Sequence, residues 1–146
     1  KPFPYAHTDA SEYSGHFSPD VRWIAYSSNE SGKYEVYVQA FPLTQGKWQV
    51  STAGGAAPSW SKDGKEIFYL SPDKKLMAVD VKGTGTSFEQ GIPKPLFDTD
   101  IDNYVAADRY VVSRDGTRIL INTSVEGTSA KPVLVILNWT AEITRK

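Results

Sequence analysis

The chain has 146 residues, the size of one domain, and 40% hydrophobic with 12% aromatic residues supplies enough apolar mass for a core and argues against disorder. A net charge of −1, with no block of five like charges, disfavours a nucleic-acid or anionic-membrane surface. Cysteine is absent, which excludes disulfides and thiolate metal sites.

No apolar run approaches the roughly 20 residues that span a bilayer, so no membrane insertion is expected of this segment. The longest run is Val133–Leu137. The chain opens on Lys1 rather than Met, as expected of a processed chain or an excised segment.

In chain order, Lys1–Thr8 carries two prolines and reads as a short edge strand. Ser14–Ser18, Trp23–Ser28, Tyr34–Phe41 and Lys47–Thr52 read as four strands, with a turn cluster at Asn29–Gly32. Ala53–Pro58 is a small-residue connector. It lacks the Gly-Lys-Ser/Thr and the helix that a phosphate-binding loop needs. Ser59–Ser61, Ile67–Ser71, Leu76–Val81 and Lys94–Asp98 form a second set, with Lys82–Gly91 as a longer polar turn. Arg109–Ser113, Ile119–Thr123 and Val133–Trp139 form a third. No segment has a convincing helical period.

One phrase recurs through these sets. Trp60-Ser-Lys-Asp-Gly-Lys-Glu-Ile-Phe-Tyr69 matches Phe17-Ser-Pro-Asp-Val-Arg-Trp-Ile-Ala-Tyr26 and Val112-Ser-Arg-Asp-Gly-Thr-Arg-Ile-Leu-Ile121. The serines, Ser18, Ser61 and Ser113, recur after 43 and then 52 residues, a period typical of propeller blades or solenoids. Four strands per unit select the all-β propeller. The expected blades are residues 10–52, 53–98 and 99–146, three four-stranded blades that make half of a six-bladed ring. Residues 1–8 then serve as an exchanged or closing outer strand, and a two-fold dimer closes the ring. Ile24, Ile67 and Ile119 are equivalent and expected between blades, with Phe17, Trp60, Tyr26 and Tyr69. Trp23, Glu66 and Arg118 are expected to face solvent. Val21 departs from the pattern, standing where Gly64 and Gly116 stand, and Pro19 replaces Lys62 and Arg114.

The three Ser-x-Asp phrases resemble the repeat of TolB-type β-propellers. Trp23–Pro42, Gly46–Thr52, Leu76–Val81 and Leu137–Trp139 resemble the propeller at the C-terminal end of many bacterial eukaryotic-like serine/threonine kinases. The resemblance implies an extracytoplasmic or periplasmic sensing or interaction module. The kinase's glycine-rich loop, His-Arg-Asp and Asp-Phe-Gly motifs are not in this sequence.

Chemistry-bearing constellations are sparse. His7 and His16 fall short of the three or four ligands of a transition-metal site, and no Gly-x-Ser-x-Gly elbow occurs. The acidic group Asp98, Asp100, Asp102 and Asp108 fails the EF-hand spacing, since Asn103 and Arg109 stand where glycine and glutamate are required. Lys62, Lys65, Lys74 and Lys75 read as a solvated basic cluster. The expected function is non-enzymatic binding of an unidentified protein or small ligand, with no cofactor. Tyr13, His16, Tyr104, Asp108 and Arg109 are the candidate ligand-facing residues, placed just before or within the innermost strands. The alternatives are a propeller hydrolase or lyase acting on glycan or peptide in the channel, and an isolated half of a larger kinase-associated propeller.

Overall fold

A computed structural model describes residues 3–5, 8–43, 46–101, 109–113 and 115–122, and the backbone of 133–137. Twelve strands and no helix lie among the described residues. The first sheet is β1 (Glu12–Phe17), β2 (Trp23–Ser28), β3 (Glu35–Ala40) and β4 (Lys47–Gln49), antiparallel in chain order. The second begins β5 (Ala56–Trp60), β6 (Glu66–Leu70) and β7 (Lys75–Thr84). The ten-residue β7 pairs β9 (Lys94–Asp98) along Lys75–Ala78 and β8 (Ser87–Gln90) along Val81–Thr84. The third is β10 (Tyr110–Val112), β11 (Arg118–Asn122) and β12 (Val133–Leu137).

Each first strand enters the second through the same polar turn. Ser18 Oγ donates to Asp20 Oδ1 at 2.6 Å and accepts the Trp23 N–H at 3.0 Å. Asp20 Oδ1 also accepts the Arg22 N–H at 3.2 Å. Ser61 and Asp63, then Ser113 and Asp115, repeat the arrangement with bonds of 2.6–3.2 Å. Short polar side chains here replace the backbone partners that a turn leaves unmet. The fourth turn residue is left-handed in every copy: Val21 has φ 59°, Gly64 70° and Gly116 72°. A further copy that sequence reading overlooked joins β6 to β7. There Ser71 Oγ donates to Asp73 Oδ1 at 2.5 Å, and Lys74 has φ 61°.

Two cores hold the sheets face to face. Alternate residues of a strand point to opposite sides. Ile67 and Tyr69 therefore join Trp23, Ala25, Val36 and Val38 of the first sheet, while Phe68 and Leu70 join Tyr110, Ile119 and Ile121 of the third. Both faces of β6 are covered, so Ile-Phe-Tyr-Leu reads as an unbroken apolar run. β11 buries Ile119 and Ile121 but leaves Leu120 40% exposed, so it alternates.

Several expectations are corrected. Trp23 is 3% exposed, not solvent-facing, because it takes the place of a large core residue between the first two sheets. Phe17 is half-exposed and stacks edge-on against Phe41 at 5.0 Å, and Ile24 is only half-buried. Among the described residues no second sheet faces that side of β2. Lys82–Gly91 is a hairpin made by the end of β7 with β8, rather than a loose turn. The lysines do not form one cluster: Lys62 and Lys65 precede β6, and Lys74 and Lys75 follow it. The five strand residues of β6, at about 3.4 Å each, and the turn after it separate the two pairs. Phe3–Tyr5, the described part of the N-terminal segment before Thr8, form no strand; Tyr5 Oη donates to the Ala40 carbonyl at 2.6 Å. His7 and Asn138–Trp139 lie outside the described residues.

Candidate functional site

The first strands of the three sheets lie side by side and are stitched by polar bonds. Trp60 Nε1 donates to the His16 carbonyl at 3.0 Å, joining β5 to β1. Tyr110 Oη donates to the Ala57 carbonyl at 2.8 Å, joining β10 to β5. The Ala57 N–H donates to Ser27 Oγ at 3.1 Å. Both β1 and β5 break register at a left-handed residue, Ser14 with φ 51° and Ala57 with φ 52°. These two stand 43 residues apart, the repeat spacing itself, so the bulges belong to the repeat. Bulges re-aim side chains beside functional surfaces.

The C-terminal ends of these strands converge on a groove of about 490 Å³. Its walls are His16 and Phe17 from β1, Ser59 and Trp60 from β5, Lys62 from the following turn, and Val112 from β10, closed by Pro19, Ser61 and Ser113. All three sheets thus contribute to one concavity. The hydroxyls of Ser61 and Ser113 are already occupied on both sides, donating to an aspartate and accepting a backbone N–H. Their aspartates are held below the ordinary carboxylate range, Asp63 by the Ser61 hydroxyl and then the Lys65 N–H, and Asp115 by the Ser113 hydroxyl and then the Thr117 N–H. The turns are therefore rigid frame. Phe17, Trp60, Val112, the His16 ring and the Lys62 ammonium supply the presented chemistry: apolar and aromatic surface beside an exposed lysine.

The expected site residues divide. His16 lines the groove. Tyr13 lies three residues earlier on β1, 41% exposed, with its ring 6.0 Å from Tyr34. Arg109 precedes β10, and its carbonyl accepts the Asn122 N–H at 2.9 Å. Neither lines the groove. Tyr104 and Asp108 lie outside the described residues. Phe17, Lys62 and Val112 also line the groove and were not among the expected site residues. Their signal was available, because Phe17, Trp60 and Val112 occupy the same position in each repeat, just before the serine.

Among the described residues no carboxylate lines the groove. Glu66 is held above its ordinary range by burial and then by Asp80 and Asp63, but it stands on β6 opposite Asp80, away from the groove wall. Asp98 pairs with Lys75 at 3.2 Å. Among the described residues no three His, Asp or Glu side chains are grouped to hold a metal.

No family model and no curated protein matches the chain. Solved structures do. An oligogalacturonate lyase from Vibrio parahaemolyticus superposes with a TM-score of 0.58 at 17% identity, over 80% of this chain and 31% of that one. An oligogalacturonate lyase in complex with manganese gives 0.57 at 17% identity, over 77% and 30%. A TolB-type protein from Agrobacterium tumefaciens gives 0.57 at 17% identity, over 88% and 46%. The fold is thus that of the TolB-like and oligogalacturonate lyase β-propellers. The chain spans less than half the length of each of these proteins.

Proposed function

We propose that the chain is a non-enzymatic propeller module that binds a protein or small ligand at the groove where β1, β5 and β10 end. The carrying observation is that convergence: three sheets frame one concavity that presents aromatic, apolar and cationic side chains. Display of a few groups on a rigid scaffold is how such folds acquire binding function. The TolB-like likeness supports the reading. A ligand screen by thermal shift tests it, since a specific ligand raises apparent stability by mass action. A hit should raise Tm in the native chain and lose its effect in Phe17→Ala and Lys62→Ala. Turnover of generic esters, glycosides or peptides that is abolished by His16→Ala would establish the hydrolase or lyase alternative instead.

In this reading the three sheets are three blades, half of a six-bladed ring, working outside the cytoplasm. The ring is completed by a second copy across a two-fold axis; residues 1–8, whose described part forms no strand within one chain, become the exchanged outer strand on association. Two open flanks support it. Val111 is 57% and Leu120 40% exposed on the outer face of the third sheet, and Ile24 is half-exposed on the first. Exposed apolar sheet faces mark interaction surfaces, and three blades are below the four to eight that close a ring. Light scattering should give about twice 16.1 kDa. A stable monomer would point to completion by the remainder of a longer, kinase-associated protein.

A further inference from the structure

The class of ligand follows from what the walls of the groove offer and what they withhold. Phe17 is 50% exposed, and Phe41 holds its ring edge-on at 5.0 Å, so an open aromatic surface stands in a fixed place. Trp60 and Val112, both half-buried, line the groove with it, and Lys62 is exposed beside them. We propose, resting on the groove reading above, that the ligand is a small arylalkyl carboxylate. Its ring packs on Phe17, Trp60 and Val112, and its carboxylate lies beside Lys62.

Three observations carry it. The first is an uncommitted cation. Among the described residues Lys33, Lys47, Lys65, Lys75 and Lys94 each pair with a carboxylate, whereas Lys62 makes no ion pair. Asp63, the next residue, instead accepts from the Ser61 hydroxyl at 2.8 Å and the Lys65 N–H at 3.2 Å, and pairs with the Lys65 ammonium at 3.6 Å. Asp115 is bonded inside its own turn. A lysine in a groove that no described carboxylate lines favours an anion over a cation. The second is the shortage of other polar partners. The Ser61 and Ser113 hydroxyls donate and accept within their turns, and the Trp60 N–H donates to the His16 carbonyl. A hydroxyl-rich ligand would leave polar groups unmet against apolar walls, which is costly; a ring bearing one carboxylate would not. The third separates a small molecule from a polypeptide. Peptides add to exposed strands chiefly through main-chain bonds. On these inner strands side chains already meet main-chain groups: Trp60 the His16 carbonyl, Tyr110 the Ala57 carbonyl and Ser27 the Ala57 N–H. The volume of about 490 Å³ lies within the ~300–1,000 Å³ of small-molecule sites, which combine apolar walls with a few polar groups.

Isothermal titration calorimetry of the full chain tests this with indole-3-acetate and 3-phenylpropionate, each beside its neutral alcohol, tryptophol and 3-phenylpropanol. At least one acid should saturate with a Kd of about 1 mM or tighter. That acid should bind about two- to fivefold tighter than its alcohol, the scale of an exposed ion pair. Lys62→Met keeps the stem and removes the charge, and should bring acid and alcohol level. Phe17→Ala should weaken both by about fivefold or more. No saturation by either acid, an acid no tighter than its alcohol, or a preference that survives Lys62→Met would each overturn the proposal. So would binding of the peptide Ala-Ala-Phe about tenfold tighter than either acid, which assigns the groove to a polypeptide end. In any of those cases a thermal-shift hit of another class that is lost in Phe17→Ala leaves the groove reading standing. Hits indifferent to Phe17→Ala remove that reading as well.

Discussion

The joint between the first and second sheets is built differently from the joint between the second and third. The first is aromatic and strapped: Trp23, Trp48 and Trp60 surround Phe88, delivered from the second sheet by the β7–β8 hairpin. Gln90 Nε2 ties that hairpin to the Gln49 carbonyl at 2.5 Å, and Arg22 Nη2 reaches the Gly85 carbonyl at 3.3 Å. The second joint is mainly aliphatic, Leu70 and Leu76 against Ile119 and Ile121, with Phe68 and Tyr110 as its buried rings. The same repeat unit thus makes two unequal joints, and the inserted hairpin accounts for most of the lengthening from 43 to 52 residues. Propeller repeats can be tuned joint by joint without altering their turns.

The largest break in that comparison is Phe88→Ala. Truncating a buried phenylalanine costs about 3–5 kcal/mol, so the denaturant midpoint should fall by that equivalent. Leu120→Ala on the open face of the third sheet should move it by less than about 1 kcal/mol, since little buried surface is lost. Equal losses would show that the hairpin does not carry the first joint.

Next comes the connector between those two sheets. Glu35 is fully buried; it accepts the Ser51 hydroxyl and the Gly54 N–H, the latter at 2.9 Å, and pairs with Lys33 at 3.2 Å. Glu35→Ala strands a buried N–H and should cost about 1–3 kcal/mol. Hydrogen exchange at Gly54 should quicken, and unchanged exchange would refute the pin.

Much of this was legible in sequence, for a physical reason. The Ser-x-Asp turns are local hydrogen-bonded structures, so their composition announces them, and the strands between them followed. What escaped notice depends on the third dimension. The polar residues of Lys82–Gly91 disguise a hairpin whose one buried aromatic, Phe88, finds its partners on another sheet. Trp23 aligns with the charged residues Glu66 and Arg118, yet it is buried because Phe88 covers it. His16 and the groove were half-read: the innermost strands were found, but Phe17 and Trp60 were assigned to packing and the equivalent Val112 was given no place, although all three frame the mouth.

A smaller effect distinguishes the turns from the joints by pH. Asp73 is held low by Lys75 and then Ser71, as Asp63 and Asp115 are held low by their own turn donors. Asp20 is also lowered: burial opposes this, but the Ser18 hydroxyl, the Arg22 N–H and the Arg22 charge outweigh it. A carboxylate whose folded pKa is depressed stabilises the fold above the unfolded value, about 3.9, and loses that contribution as pH falls through the folded value. These aspartates should therefore contribute fully above about pH 5 and lose their contribution below about pH 4. Asp115→Asn should shallow the decline. These carboxylates are largely exposed, so solvent screening keeps each contribution small.

The smallest effect concerns the turns themselves. Val21 adopts φ 59°, a conformation that costs an L-residue about 1–2 kcal/mol and suits a β-branched one least. Being 53% exposed, Val21 gains little by burial. Val21→Gly should therefore stabilise the protein, by less than about 1 kcal/mol, because glycine also loses more entropy on folding. The neighbouring residue suggests how the native turn tolerates valine. Both turns with a non-glycine left-handed residue, at Val21 and Lys74, carry proline two positions earlier, Pro19 and Pro72; both glycine turns carry Lys62 or Arg114 there. Proline fixes φ near −65° and removes unfolded-state freedom worth about 0.4–1 kcal/mol, which offsets part of the strain. Pro19→Lys should then destabilise by a few tenths of a kcal/mol up to about 1 kcal/mol, and Val21→Gly should restore what it loses. A thermal-melt cycle of the two single variants and the double variant decides the point. A fall in Tm for Val21→Gly would mean that the valine side chain contributes contacts worth more than the strain it bears.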